Sequence, residues 1–140
     1  MRTIWRAVFG LGLASAAAVA AADDLTGHDE FVCTAWHAVM CTTEGTCTPT
    51  EAWRLAMPDF IKVDLDAREL ATPEGTEQPR FTTIGSIGRN EGRIFLNGWQ
   101  GERGYTWVIN EASGEGSLAL AEDNAVVTLF TACAASENLR

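Results

Sequence analysis

The chain has 140 residues, 46% of them hydrophobic, and carries ten Lys plus Arg against nineteen Asp plus Glu, a formal charge of −9. That balance argues against nucleic acid and anionic lipid as partners, because cationic side chains supply most of the affinity for both. It suits a solubilising acidic surface, or steering toward a basic protein partner.

Arg2 and Arg6 precede an apolar core from Ala7 to Val19, and Ala20-Ala21-Ala22 supplies small residues for cleavage. This is the pattern of an export signal over residues 1–22, cut before Asp23. Loss of the two arginines leaves eight basic against nineteen acidic residues, a charge of about −11. No later run approaches the ~20 apolar residues of a membrane span, so no membrane insertion is expected after cleavage and the location is read as periplasmic or secreted. About 118 residues remain, enough for one domain with a modest core. The expected division is a loose lead-in at 23–30, a β domain at 31–133 and a tail at 134–140.

Four cysteines, Cys33, Cys41, Cys47 and Cys133, all fall after the signal. In an oxidising compartment an even number in a small domain reads as two disulfides, with three connectivities open. Cys33 with Cys133 and Cys41 with Cys47 is the favoured pairing. The first bridge would make neighbours of the first and last strands.

Within the lead-in, His28-Asp29-Glu30 has the residue types of a metal site, but no ligand spacing follows it, and a solvated terminus is the simpler reading. Phe31 to Cys41 has apolar residues on both parities, which also suits a short helix; its β-branched and aromatic content favours a strand. Thr42 to Thr46 is a polar turn. Trp53, Leu55 and Met57 alternate with Arg54 and Ala56 as a second strand, stopped by Pro58-Asp59. Ile61, Val63 and Leu65 alternate with Lys62, Asp64 and Asp66 as a half-buried strand, and Leu70 fits a continuing edge strand before the loop Thr72 to Pro79. Asp64, Asp66 and Glu69 are spaced for weak calcium binding, yet the loop lacks the glycine and ligand density of a dedicated site.

From Arg80 onward short apolar runs alternate with Gly- and Asn-rich turns, the signature of an antiparallel sandwich or barrel. Two-residue turns at Ser113-Gly114 and Asp123-Asn124 place Ile109 opposite Leu118, Trp107 opposite Leu120, Leu120 opposite Val127 and Leu118 opposite Leu129. A longer loop centred on Glu102 places Phe95, Asn97 and Trp99 opposite Ile109, Trp107 and Tyr105. One face then collects Phe95, Trp99, Tyr105, Trp107, Ile109, Leu118, Leu120, Val127, Leu129 and Cys133. The expected fold is all-β: a small antiparallel meander forming a closed or nearly closed barrel of about eight strands, stapled by disulfides.

No catalytic constellation stands out. Neither histidine lies in a nucleophile-elbow or zinc-helix pattern, and no C-x-x-C pair is present. No catalytic residue, metal site or cofactor is expected. His37 shares parity with Cys33, so His37 and Asn97 could converge inside the barrel among Trp99 and Trp107, as a ligand pocket with a few fixing hydrogen bonds. Trp99, Tyr105 and Trp107 could alternatively stack on sugar rings if exposed, although neighbouring Leu and Ile favour a core role.

With its export signal, a cysteine on the first strand, another on the last and a meander between them, the chain resembles the small periplasmic barrels of the C-type-lysozyme inhibitor family. That resemblance implies an eight-stranded barrel with disulfide-tied end strands and an inhibitory loop containing Ser-Gly. Ser113-Gly114 is the matching dipeptide and becomes the candidate partner-binding element, while Cys41 and Cys47 are additional to the family pattern. The functional expectation is an exported non-catalytic binding module, with inhibition of a basic envelope enzyme as one form. The alternatives are a lipocalin-like carrier, which needs an internal cavity of roughly 300 Å³ or more, and a structural envelope protein.

Overall fold

The computed structural model describes residues 22–139, so the export signal expected over residues 1–22 lies, but for Ala22, outside the described residues. Ten strands form one antiparallel sheet: β1 (Glu30–Thr42), β2 (Cys47–Thr50), β3 (Ile61–Asp64), β4 (Glu69–Ala71), β5 (Phe81–Thr83), β6 (Ser86–Asn90), β7 (Arg93–Gln100), β8 (Arg103–Asn110), β9 (Glu115–Ala121) and β10 (Ala125–Ala135). Short 3-10 turns follow at Ala52–Leu55 and Ser136–Leu139.

The strand order is β5-β4-β3-β1-β10-β9-β8-β7-β6, with β2 paired to the upper half of β1. The outermost strands, β5 and β6, are separated in the chain by Ile84 and Gly85 alone. At that junction consecutive amides face opposite neighbours. Ile84 N–H donates to Arg68 O at 2.8 Å, and Gly85 N–H donates to Asn97 O on β7 at 2.8 Å. Arg68 Nη2 reinforces the junction by donating to Gly85 O at 2.9 Å. Residues 81–90 therefore serve as one strand whose two halves have different partners. Counted so, the sheet curls into a nearly closed barrel of eight strands with β2 appended.

The interior is formed by alternate residues of each strand, as the pleat requires. Trp107, Ile109, Leu118, Leu120, Val127, Leu129 and Cys133 are buried, the face expected for β8, β9 and β10. Leu120 opposes Val127 and Leu118 opposes Leu129 as expected; Trp107 opposes Leu118, a shift of two that preserves the face. Two inward glycines make room for the largest rings. A Cβ on Gly98 would lie 2.6 Å from Tyr105 Oη, and one on Gly116 would lie 2.8 Å from Thr131 Oγ1 and 3.0 Å from Trp107 Nε1. Those last two atoms are hydrogen-bonded at 3.0 Å, so the buried indole N–H has its partner.

The structure corrects five local expectations. On β7 the face is inverted: Ile94 and Leu96 are buried, while Asn97 and Trp99 point out. The β7–β8 turn has two residues, Gly101 and Glu102, since Gln100 pairs with Arg103; a loop with one residue at its centre gives the opposite parity. On β1 the register shifts between Ala35 and His37, leaving Trp36 as the extra residue of a bulge, so Ala38 turns inward and His37 outward. Trp53 to Met57 is not a strand, because both halves of β1's free edge are already taken, by β3 and by β2. The lead-in is not loose: Leu25 is fully buried under the barrel end, Leu25 N–H bonds Glu111 O at 2.6 Å, and Arg89 pairs with Asp29 at 3.0 Å. Likewise β10 runs past Cys133 to Ala135.

Both disulfides join directly opposed residues, Cys33 with Cys133 on β1 and β10 and Cys41 with Cys47 on β1 and β2. Their sequence separations are 100 and 6. On loop entropy alone the long bridge contributes ~4.7 kcal/mol and the short one ~2 kcal/mol. Urea unfolding of Cys33→Ala/Cys133→Ala should therefore show roughly twice the stability loss of Cys41→Ala/Cys47→Ala. Equal losses would show that the long loop does not dominate.

Candidate functional site

The four residues expected to form an internal pocket do not converge. Trp107 is fully buried, whereas Trp99 is 72% exposed on the outer wall. Asn97 is outside too, its Nδ2 donating to Ser86 Oγ at 3.1 Å and its Oδ1 accepting from Thr106 Oγ1 at 2.9 Å. His37 stacks on Phe130, with ring centroids 6.2 Å apart.

Nor is Ser113-Gly114 a projecting loop. Asn110 Oδ1 accepts from Ala112 and Ser113 N–H, and Gly114 is buried with φ at 67°. A Cβ there would meet Cys133 O at 2.4 Å and Asp23 O at 2.5 Å. Glycine is required by backbone conformation and by this close approach. The lead-in at Asp23 covers Gly114, while Ser113 is half-buried.

The barrel interior is mostly filled. A cavity of about 90 Å³ remains at the upper mouth, lined by Met57, Ile61, Leu70, Tyr105, Trp107 and Leu120 among others. Arg80 Nη1 and Arg103 Nη1 tie the 3-10 segment across this mouth by donating to Ala56 O at 2.7 Å and Leu55 O at 3.1 Å. The volume is well short of the ~300 Å³ at which small-molecule sites begin.

Asp64 Oδ1 caps its own turn by accepting from Ala67 N–H at 2.8 Å, and among the described residues no group of three His, Cys, Asp or Glu could hold a metal ion. His28 lies 3.5 Å from Glu137, a contact within the lower end of the barrel.

What the fold does assemble is an outer wall over β1, β10, β9, β8 and β7. Register places His37, Phe130, Ser117, Val108 and Phe95 in one row. Above it lie Val39, Thr128, Ala119, Thr106 and Asn97, then Cys41, Val126, Ala121, Gly104 and Trp99. None of these fifteen is Asp, Glu, Lys or Arg. Trp36, re-aimed by the bulge, is 68% exposed and packs beside His37 and Phe130. Charge collects elsewhere. On the opposite wall Lys62 pairs with Glu30 at 2.9 Å, and that hydrogen bond holds the ammonium pKa above its usual value. At the lower end of the uncharged wall stand Glu91, Glu111 and Glu115 with Arg93, Glu111 being paired with Arg89 at 3.2 Å, and at the upper end stand Glu102, Asp123 and Glu122, the last paired with Arg103 at 2.7 Å.

The Trp36–His37–Phe130 cluster escaped the sequence reading because a strict two-residue alternation was carried through the bulge. Its signal was present as the mixed parity of apolar residues from Phe31 to Cys41, inward at Phe31 and Cys33 and then at Ala38.

No family model matches the chain, and neither the curated proteins nor the solved structures contain a match to it.

Two measurements separate inner from outer aromatics. Trp107→Ala should cost roughly 3–5 kcal/mol in urea unfolding, and Trp99→Ala should stay within about 0.5 kcal/mol of wild type; similar costs would contradict the assigned faces. Tyr105 is the sole tyrosine, and its burial raises the phenol pKa above the ordinary 10.0. A raised acid pKa means that the unfolded chain loses its proton first, so stability should fall as pH rises through the unfolded value of about 10. Near-ultraviolet titration should show the folded tyrosine ionising at higher pH than in urea. A folded transition at or below the unfolded one would refute the burial argument.

Proposed function

We propose that the chain is an exported, non-catalytic binding module that docks a basic protein partner on the uncharged outer wall of its barrel. The observation that carries this reading is the segregation of charge. In a chain with nineteen acidic residues, five adjacent strands present fifteen outward positions without a charged side chain. Exposed Trp36 and Phe130 add an aromatic anchor of the type that dominates interface energies. A neutral centre whose margins are acidic on balance, with six carboxylates against Arg89, Arg93 and Arg103, complements a partner whose neutral patch is bordered by Lys and Arg, so that the margins steer encounter and the centre holds the complex.

This differs from the loop-directed inhibition that the family resemblance implied, because Gly114 is covered by Asp23 and Cys133. A basic envelope enzyme still suits the charge pattern, through the wall instead of the dipeptide. The carrier alternative has less support, given the cavity of about 90 Å³.

The test is retention of basic envelope proteins, C-type lysozyme included, on immobilised protein at low and high salt. Wild type should retain a basic partner in a salt-sensitive manner, and Trp36→Ser/Phe130→Ser should weaken that binding about a hundredfold, in the range of two interface anchors at ~1.4 kcal/mol each. Failure to retain any basic protein, or equal retention by the double variant, would remove the reading.

A further inference from the structure

Trp99 stands at the upper corner of the wall, on the far side from Trp36. Its row neighbours are Gly104 and Ala121, too small to cover an indole, and its ring edge at Cζ3 lies 3.6 Å from where a Cβ on Gly85 would sit. Packing against so little returns a small part of the free energy that burying the ring would release, so the fold itself does not require tryptophan here.

Two residues back on the same face, about 7 Å along the strand by the rise of a β-strand, is Asn97. Its amide is oriented from both sides, by donation to Ser86 Oγ and by acceptance from Thr106 Oγ1. An amide has two N–H groups and two oxygen lone pairs. One of each remains for a ligand, together with the Ser86 hydroxyl hydrogen. Trp99, Asn97, Ser86, Thr106, Gly85 and Gly104 form a shelf with no charged group.

We propose that this shelf binds a pyranose ring of a neutral glycan, stacked on Trp99 with its edge hydroxyls on Asn97 and Ser86. The indole face carries negative quadrupole potential and attracts the C–H face of a sugar. The oriented amide both donates and accepts, which suits a pair of neighbouring hydroxyls, and the strand spacing sets the amide at the margin of a ring centred on the indole. Neutrality follows from charge. An anionic glycan would approach a chain of formal charge −9, and a cationic sugar would find no carboxylate on the shelf. An apolar peptide would desolvate Asn97, Ser86 and Thr106 without replacing their hydrogen bonds to water, at a cost a sugar avoids. The shelf shares Trp99, Asn97, Thr106 and Gly104 with the uncharged wall, but its ligand is a soluble oligosaccharide, so sugar binding and protein docking can succeed or fail separately.

The test is an amide and indole nuclear magnetic resonance titration of the isotopically labelled protein with cellotriose, maltotriose, chitotriose and an anionic galacturonate trimer. At least one neutral trisaccharide should move the Trp99 indole N–H and the Asn97 side-chain amide signals together while the Trp107 indole signal, an internal report on folding, stays in place. Trp99→Ala should abolish saturable binding. Asn97→Ala should weaken it about tenfold, the effect of losing ~1.4 kcal/mol, and Trp53→Ala, at an exposed indole outside the shelf, should leave it unchanged. Absence of a saturable shift with all three neutral sugars would overturn the proposal. So would equal binding of the anionic trimer, or undiminished binding by Asn97→Ala with the Trp107 signal intact.

Discussion

The barrel depends on a single change of partner in the middle of one strand. Where Ile84 bonds toward Arg68 and Gly85 toward Asn97, two edges that would otherwise lie open are made consecutive parts of one chain segment. An open edge is a liability because its unpaired N–H and C=O groups template pairing with other chains. Arg68 is central to avoiding that. Its backbone has φ at 56°, its carbonyl accepts from Ile84, and its guanidinium donates to Gly85 O, so one residue holds the junction from both sides.

Closure at this diameter leaves little interior, and the chain fills it with rings accommodated by missing side chains. Gly98 and Gly116 are notches for Tyr105 and Trp107. With the core so occupied, the chemistry that remains is on the outside. The same meander that buries Trp107 exposes Trp99 eight residues earlier, and the difference between them is parity alone.

That parity is also what divides the legible from the illegible in the sequence. The β9–β10 hairpin could be read because Asp123-Asn124 is a plain two-residue turn between strands that alternate cleanly, and the even cysteine count pointed to two disulfides, of which the observed pairing was the favoured one of three. The Gly101-Glu102 turn is embedded in five polar or glycine residues from Gln100 to Gly104, so its centre was ambiguous by one position, and one position exchanged the faces of Leu96 and Asn97. The bulge at Trp36 did the same to His37. Burial of Gly114 was beyond local reading altogether, since the group covering it, Asp23, is ninety-one positions away in sequence. The candidate wall became visible only when those registers were known, because a surface spanning five strands has no contiguous signature.

The pairing of β1 with β10 has a consequence for how this molecule comes into being. From β3 to β10 each strand pairs with the next one in the chain except at the β5–β6 junction, whereas β1, paired early with β2 and β3, waits for β10 about one hundred residues later. A chain emerging from its N-terminus, from a ribosome or through a membrane pore, cannot make its longest strand pair until the last strand has arrived. Long-range pairing of this kind is slow and leaves apolar strands uncovered meanwhile. Assembly is thus timed by the arrival of Cys133, and any helper that keeps the nascent chain from aggregating has to stay bound until nearly the whole sequence has emerged.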